Sequence, residues 1–199
     1  MKRKVKLFVM VASIISVLPA FAQTSGDGTI KDTRDNQVYE TIKIGSHWWM
    51  AENLNFDAGE GSWCYNNDPE ACKHFGMLYA WETAKNVCLS GWHLPSDKEW
   101  QDLEKELGMP GNSLDQMGWR TIELDLLYNE ENGLKIVNAG YRPFGDGTFD
   151  DGGDDAYFWT STEKDKDHGW KRFMDDHRMQ IGRGYDSKKQ GFSVRCIKD

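Results

Sequence analysis

The sequence lacks the short motifs that identify most catalytic and cofactor-binding sites. It has no G-x-S-x-G nucleophile turn, no phosphate-binding P-loop and no dinucleotide fingerprint. Its five histidines (47, 74, 93, 168 and 177) show no H-x-x-H or H-E-x-x-H spacing, so the sequence predicts no metal site built on two of them. We therefore expect a protein without a catalytic apparatus of its own.

Basic residues and long apolar segments are also scarce. The chain has 24 Lys and Arg residues against 32 Asp and Glu residues, a formal net charge of -8. Because an acidic chain binds polyanions poorly, we expect neither nucleic acid nor an anionic membrane surface as a partner. After residue 21 no segment is apolar enough to cross a bilayer, so we also expect no membrane insertion once the N-terminal segment is removed.

The first 22 residues have the three parts of a secretory signal peptide. Four basic residues precede an apolar run at residues 7–21 and a small-residue cleavage site that ends at Ala22. A membrane-spanning helix is the alternative, but Ser13, Ser16 and Pro19 interrupt the run. Cleavage removes four basic residues and no acidic ones, which leaves a charge of 20 − 32 = −12. We expect residues 23–28 to form a short polar segment and 29–199 a domain that is secreted, periplasmic or on the cell surface.

All four cysteines lie after the predicted signal peptide, and an even number in an exported chain favours disulfides. Three pairings are possible. The turn-prone Asn-Asn-Asp-Pro segment at residues 66–69 can bring Cys64 to Cys72, and Cys88 would then join Cys196. A zinc site of four thiolates is the alternative, but the spacing contains no C-x2-C pair.

The sequence pattern of the first half of the domain predicts a hairpin and two helices. Residues 37–44 have the composition of a strand, and Gly45-Ser46 offers a two-residue type II′ turn into a second strand at 47–50. From Gly76 the apolar spacing becomes helical. A capping box formed by Ser96 and Glu99 then begins another helix, which ends at Gly108.

The second half predicts loops and strands. Residues 109–138 are interpreted as mostly loop with one apolar stretch at 124–128, and residues 146–155 as an acidic, Gly-rich loop. Alternating patterns predict further strands at residues 157–160, 170–174, 178–181 and 192–197. The fold class expected from this order is α+β, with two helices packed on short antiparallel sheets and held by disulfides.

A series of motifs in this order resembles the Fibrobacter succinogenes major paralogous domain. The segments are KIG at 43–45, WMAENL at 49–54, CYNND at 64–68, GMLYAW at 76–81, GWHLPS at 91–96, WTST at 159–162 and GFSVRC at 191–196. The resemblance runs from about residue 29 to residue 199 and implies an exported bacterial protein. More distantly, residues 93–100 and the closing motif resemble formylglycine-generating enzymes, which implies a C-type-lectin-like fold. That fold often ties a helix to the final strand by a disulfide, which agrees with a Cys88–Cys196 pair.

The functions of those distant relatives do not carry over. The copper-dependent oxidase chemistry needs free active-site cysteines, and the expected disulfides use all four. The calcium-lectin triplets Glu-Pro-Asn and Gln-Pro-Asp are absent. The resemblance therefore implies a fold but neither an oxidase nor a calcium-dependent sugar site.

Nine tryptophans supply the candidate ligand-binding residues. Planar aromatic side chains fill cores and also stack on sugar rings. Trp81, Trp92, Trp100 and Trp159 lie in periodic or motif segments, so we expect them in the core. Trp63, Trp119 and Trp170 lie in or beside predicted loops, and these three are the candidates for a glycan platform.

The acidic loop and His93 are weaker candidates. Asp146, Asp150, Asp151, Asp154 and Asp155 could gather oxygens around Ca²⁺, but the spacing is not that of an EF-hand, and a solvated loop is the simpler interpretation. His93, within a tight Gly-Trp-His-Leu-Pro segment, is expected to make a structural hydrogen bond. We therefore expect no cofactor, with calcium as the alternative.

We expect a secreted, non-catalytic binding module whose partner is a polysaccharide or another surface protein. A carbohydrate-active enzyme that uses loop carboxylates is the first alternative, because the sequence cannot exclude a pair of carboxylates that meet only in the fold. A purely structural surface protein is the second. Grouped aromatic side chains on the surface would favour binding, and two carboxylates converging in a cleft beside them would favour catalysis.

Overall fold

The computed structural model describes residues 28–122, 125–128, 133–175 and 180–199. The predicted signal peptide at 1–22 lies outside the described residues, as does the polar segment at 23–28 apart from Gly28. Parts of the stretches predicted at 124–128 and 178–181 also lie outside them.

Strands and short helices alternate along the described chain. The strands are β1 (Gly28–Lys31), β2 (Val38–Ile44), β3 (His47–Met50), β4 (Ser62–Trp63), β5 (Leu78–Tyr79), β6 (Trp92–His93), β7 (Gly118–Thr121), β8 (Ala139–Tyr141), β9 (Asp150–Gly152), β10 (Asp155–Glu163), β11 (His168–Asp175), β12 (Gln180–Ser187), β13 (Phe192–Ser193) and β14 (Ile197–Lys198). The helices are α1 (Pro69–Phe75), α2 (Trp81–Val87), α3 (Asp97–Glu106) and α4 (Asp125–Tyr128), with a 3-10 turn at Tyr65–Asn67.

The structure is mostly β, so the expected α+β class with two helices packed on short antiparallel sheets is wrong. The described residues form fourteen strands but only three helices of seven to ten residues and one four-residue helical turn. Strands as short as β4, β5 and β6 have no period-2 pattern that a sequence could reveal. No helix in the described part of the chain is long and apolar enough to span a bilayer.

Two segments predicted as loop or turn contain regular structure. The acidic segment at 146–155 includes β9 and the first residue of β10, and the 109–138 stretch includes β7 and α4. The turn-prone segment after Cys64 continues into α1, where the Asp68 side chain accepts a hydrogen bond of 3.0 Å from the Glu70 N–H and Pro69 occupies the first turn. Asp followed by Pro is a strong helix-start signal, so this helix was detectable from the sequence.

The strands form a five-stranded sheet and a larger one. The first has the order β1-β2-β3-β14-β6, and the second follows β4-β5-β13-β10-β11-β12-β7, with β8 beside β10 and β9 beside β8. The predicted β2–β3 hairpin is confirmed. Gly45 has a φ of 60°, the left-handed value that a type II′ turn requires at its first central residue.

Both predicted disulfides are formed. The short bridge, Cys64–Cys72, joins residues eight positions apart across the start of α1, with a Cα–Cα distance of 5.0 Å. The long bridge, Cys88–Cys196, spans 108 positions and ties the end of α2 to the residue before β14, with a Cα–Cα distance of 5.9 Å. No cysteine of the described chain remains for a thiolate zinc site.

The predicted capping box of α3 is confirmed, and this helix packs on the larger sheet. The Ser96 hydroxyl accepts from the Glu99 N–H, while the Glu99 carboxylate accepts from the Ser96 N–H at 2.7 Å. Its apolar face buries Trp100, whose ring centroid lies 5.2 Å from that of Trp49 and 5.7 Å from that of Phe158. The four tryptophans predicted for the core, 81, 92, 100 and 159, are all buried.

Between α3 and the sheet lies a set of charged side chains that we call the buried ion network. It consists of Asp97 and Glu104 on α3, Arg120 on β7, Arg172 on β11 and Arg183 on β12. Glu104 accepts from Arg120 at 2.7 and 2.8 Å and from Arg172 at 2.5 Å. Asp97 accepts from Arg172 at 2.6 Å and from Arg183 at 2.7 Å. The network joins one helix to three strands of the larger sheet.

Candidate binding site on the exposed sheet face

A row of aromatic side chains crosses the face of the larger sheet opposite α3. The register pairs Tyr157 of β10 with Phe173 of β11, Phe173 with Gly182 of β12, and Gly182 with Trp119 of β7. Directly paired residues point to the same face of a sheet, so these residues form one line across four strands. Tyr141 of β8 continues the line beyond Tyr157. We call Tyr141, Tyr157, Phe173 and Trp119 the aromatic strip.

Neighbouring rings of the aromatic strip lie close to one another. Ring centroids are 5.0 Å apart from Tyr141 to Tyr157, 6.4 Å from Tyr157 to Phe173 and 4.5 Å from Phe173 to Trp119. Tyr157 and Phe173 lie on paired strands, whereas β12 separates the strands of Phe173 and Trp119, whose rings meet above Gly182. All four side chains are half-buried, so part of each ring contacts solvent.

One glycine of β12, Gly182, lets the Phe173 ring lie against the sheet. A Cβ at position 182 would lie only 2.1–2.4 Å from atoms of the Phe173 ring. At position 184 the nearest ring atom would be 3.4 Å away, an ordinary contact. Gly182 therefore provides the space through which Phe173 reaches the edge of Trp119, and any larger residue there would displace the ring.

Polar groups border the aromatic strip. The Tyr157 hydroxyl lies 2.7 Å from a carboxylate oxygen of Asp151 and 3.1 Å from one of Asp155, so the two carboxylates share its single proton. Burial, together with these carboxylates, holds the pKa of Tyr157 well above its ordinary value, so the hydroxyl stays protonated. The Lys171 ammonium lies 4.9 Å from the Tyr157 ring centroid and forms an ion pair of 3.0 Å with Asp186. The strip thus offers flat apolar rings beside carboxylates that can accept further hydrogen bonds.

The five aspartates proposed as calcium ligands do not converge. Asp146 closes a local turn, where it accepts from the N–H and hydroxyl of the threonine two residues later. Asp150 and Asp151 lie on β9, Asp154 follows in the turn, and Asp155 begins β10. Within the described ranges no three His, Cys, Asp or Glu side chains are arranged to hold a metal ion. Asp151 and Asp155 instead border the aromatic strip.

Comparison with known proteins identifies the family. The model of the Fibrobacter succinogenes major domain family matches residues 42–198. The chain belongs to this family. No curated protein and no solved structure matches it, so the distant resemblance to formylglycine-generating enzymes and C-type-lectin-like proteins is not confirmed.

In this Fibrobacter succinogenes major domain the three candidate tryptophans do not form one platform. Trp63 lies on β4 and Trp119 on β7, the two ends of the strand order in the larger sheet. Trp170 lies on β11, where the Arg183 guanidinium stacks 3.9 Å from its ring centroid and Tyr185 meets it edge-on. Of the three, Trp119 belongs to the aromatic strip.

His93 of this family member connects the end of the chain to α3. Its Nδ1 lies 2.6 Å from Asp199 and its Nε2 2.9 Å from Glu99, as expected for a structural role. Burial lowers the pKa of His93, but the hydrogen bonds to Asp199 and Glu99 outweigh it and raise that pKa above its ordinary value. The Ser96 hydroxyl beside this pair donates to Glu99 at 2.8 Å as part of the α3 capping box, so we assign these side chains a structural role and no chemistry.

Sequence reasoning missed three of the four residues in the aromatic strip. Tyr157 and Phe173 lie in segments predicted as strands, and Tyr141 lies in a segment given no element. Their alignment depends on the register of strands far apart in the chain, which local patterns do not determine. The one local signal was the alternation of Gly182 and Gly184 within a strand, because glycine in a strand often marks a close approach by another group.

Proposed function

We propose that the protein is an exported, non-catalytic module that binds a polysaccharide along the aromatic strip. One observation carries the proposal: four half-buried rings lie in a line across the larger sheet and are bordered by carboxylates. Aromatic side chains usually enter the core, and a line of them left partly exposed on a sheet is typical of an interaction surface.

The chemistry of the strip suits a sugar chain. The exposed parts of the Phe173 and Trp119 rings can contact the apolar C–H faces of sugar rings beside the Lys171 ammonium, which lies 5.3 Å from the Phe173 ring centroid, while Asp151 and Asp155 can accept hydrogen bonds from sugar hydroxyls. Both carboxylates already accept from the same Tyr157 hydroxyl. This arrangement supports a positioning role for them rather than proton transfer to a substrate, and a neutral polysaccharide is the expected ligand.

Export is supported by two features. The chain has two disulfide bridges, which are typical of proteins that fold outside the cytosol. Residues 1–22 have the pattern of a signal peptide, which would deliver the chain to that environment.

Retention on insoluble polysaccharides tests the proposal. We would mix the exported protein with cellulose, xylan or pectin, with and without EDTA, and measure the bound fraction. We expect binding to cellulose or xylan that survives EDTA, whereas pectin carries uronic acid units and is the acidic comparison. Losing a stacked ring removes about 1–2 kcal/mol of apolar contact, so Phe173→Ala and Trp119→Ala should each weaken binding roughly 5- to 30-fold.

Tyr185→Ala is the matched control. It removes an exposed ring from β12, but alternation along the strand places Tyr185 on the face opposite Gly182 and Gly184. Binding by this variant should equal that of the parent protein. No retention on cellulose or xylan, or unchanged retention on them in the Phe173→Ala Trp119→Ala double variant, would refute the proposal. Release of reducing sugar ends would contradict its non-catalytic part.

A further inference from the structure

A concave surface beside strand β4, which we call the Trp63 groove, differs in charge from the aromatic strip. Its volume is about 690 Å³, within the range of small-molecule sites. Two rings, Trp63 and Phe144, and four cationic side chains, Arg142, Lys166, Lys188 and Lys189, line it. Phe144 is 57% exposed, one of the few large apolar side chains of the described chain left so open to solvent.

Two of these cations are held over the rings. The Arg142 guanidinium lies 4.3 Å from the Trp63 ring centroid, and the Lys189 ammonium lies 4.5 Å from that of Phe144. Among the described side chains neither cation has a carboxylate within ion-pair distance. A ring attracts a cation without neutralising it, so both charges remain available to an incoming anion.

The three carboxylates that also line the groove do not cancel its cations. Glu82 forms an ion pair of 3.5 Å with Lys85 of its own helix, and Lys85 is not part of the groove lining. Lys188 is paired with Glu163 at 3.3 Å. Without these pairs, the lining keeps three cations (Arg142, Lys166 and Lys189) and two carboxylates (Glu60 and Asp167). Among the lining residues the excess is one positive charge, and Asp146, which interacts electrostatically with Arg142, lies outside the lining.

We infer that the Trp63 groove binds a carboxylated saccharide, such as a chain of uronic acid units. The rings of Trp63 and Phe144 would contact the sugar faces, and Arg142 with Lys189 would bind the carboxylate through charge-assisted hydrogen bonds. An acidic protein repels anions at long range, so a local cluster of cations is what would allow such a ligand to bind. This second site does not depend on the proposed function of the aromatic strip.

An acidic peptide suits this groove less well. Peptides commonly bind beside a sheet by adding a strand to its edge. The edge strand here, β4, has only two residues, too few for a ladder of main-chain hydrogen bonds. The exposed rings, by contrast, offer flat surfaces of the size of a sugar.

Binding to polygalacturonic acid, its methyl-esterified form and poly-glutamate, measured by calorimetry with the exported protein, tests the inference. We expect polygalacturonic acid to bind, and esterification to weaken binding at least about ten-fold because the carboxylates are lost. Phe144→Ala and Lys189→Gln should each weaken it about 5- to 30-fold. Lys73→Gln, the same charge change at an exposed position on α1, should leave it unchanged.

Several outcomes would overturn the inference. Equal binding of the methyl ester would mean that the carboxylate is not recognised, and equal binding of poly-glutamate would indicate an acidic protein partner instead. An equal loss of affinity in Lys73→Gln would show that the net charge of the protein alone explains the effect. Phe173→Ala should leave polygalacturonate binding unchanged, so failure of the groove and failure of the aromatic strip are distinguishable.

Discussion

Replacing Glu104 by glutamine should destabilise the protein strongly, although the change is nearly isosteric. Glu104 is fully buried and accepts two hydrogen bonds from Arg120 and one from Arg172. After Glu104→Gln, Arg172 keeps Asp97 as its counter-ion. Arg120 would keep the Leu114 carbonyl at 3.0 Å, a methionine sulfur and at most the amide oxygen of the new glutamine, none of which is charged. The substitution therefore leaves a buried guanidinium without a negative partner.

The expected loss follows from that uncompensated charge. Removing one partner of a buried ion pair typically costs about 3–5 kcal/mol. Because a domain is stable by only about 5–15 kcal/mol, this is a large part of the total. On the same helix, Asp102 pairs with Lys98 at the surface. Asp102→Asn should cost only about 0.3–0.5 kcal/mol, as for other exposed pairs one helical turn apart.

Denaturant unfolding with the disulfides intact would measure both free energies. The double variant Glu104→Leu Arg120→Leu provides the sharper test, because replacing a buried pair by apolar residues is often near neutral. It also removes the Arg120 Nε–H, which makes no hydrogen bond to the described residues. We expect the double variant to be more stable than Glu104→Gln. A loss below about 1 kcal/mol in Glu104→Gln would refute the reasoning. So would a loss in the double variant equal to the sum of the losses in Glu104→Leu and Arg120→Leu alone.

Three further predictions concern the bridges and the pH dependence of stability. On the chain-entropy model the long bridge contributes about 4.8 kcal/mol and the short bridge about 2.5 kcal/mol. Replacing both cysteines of the long bridge by alanine should therefore lower the free energy of unfolding more than the same change in the short bridge, and the reverse order would contradict the model. Burial raises the pKa of Asp97, but Arg183 and Arg172 outweigh it and hold that pKa below 3.8. This stabilisation is present above the unfolded-state pKa and is lost as pH falls through the lower folded-state value, so Asp97→Asn should flatten the acid side of the stability profile. The raised pKa of His93 stabilises the fold below about pH 6.5, and this is lost as pH rises through the folded-state value. In an NMR titration, Glu99→Gln, which keeps the capping box, should lower the His93 pKa; an unchanged value would exclude the Glu99 contact as its cause.

Local chemistry explains what the sequence could predict. The β2–β3 hairpin depends on Gly45, the α3 start on Ser96 and Glu99, and the short bridge on a turn between its two cysteines. Each of these signals lies within about ten residues of the feature it specifies, so each could be read without knowledge of the fold.

The remaining features depend on contacts between distant parts of the chain. In the sequence the charged residues of the buried ion network look like surface positions. Asp97 and Glu104 are buried only because Arg172 of β11, 75 and 68 positions away respectively, packs against them. The aromatic strip likewise requires the pairing of β7 with β12, more than fifty positions apart. Patterns of local periodicity carry no information about such pairings.

The buried ion network and the aromatic strip are two faces of the same strands. On β11, Arg172 points to α3 while Phe173 points outward, and on β12 Arg183 points to α3 while Gly182 lies under the Phe173 ring. A slip of one residue in the register would exchange these faces and bring Phe173 against the carboxylates of α3. Buried ion pairs add little stability compared with apolar packing, but a misplaced partner is costly. The network therefore favours one register of the sheet, and that register aligns the rings into a continuous strip.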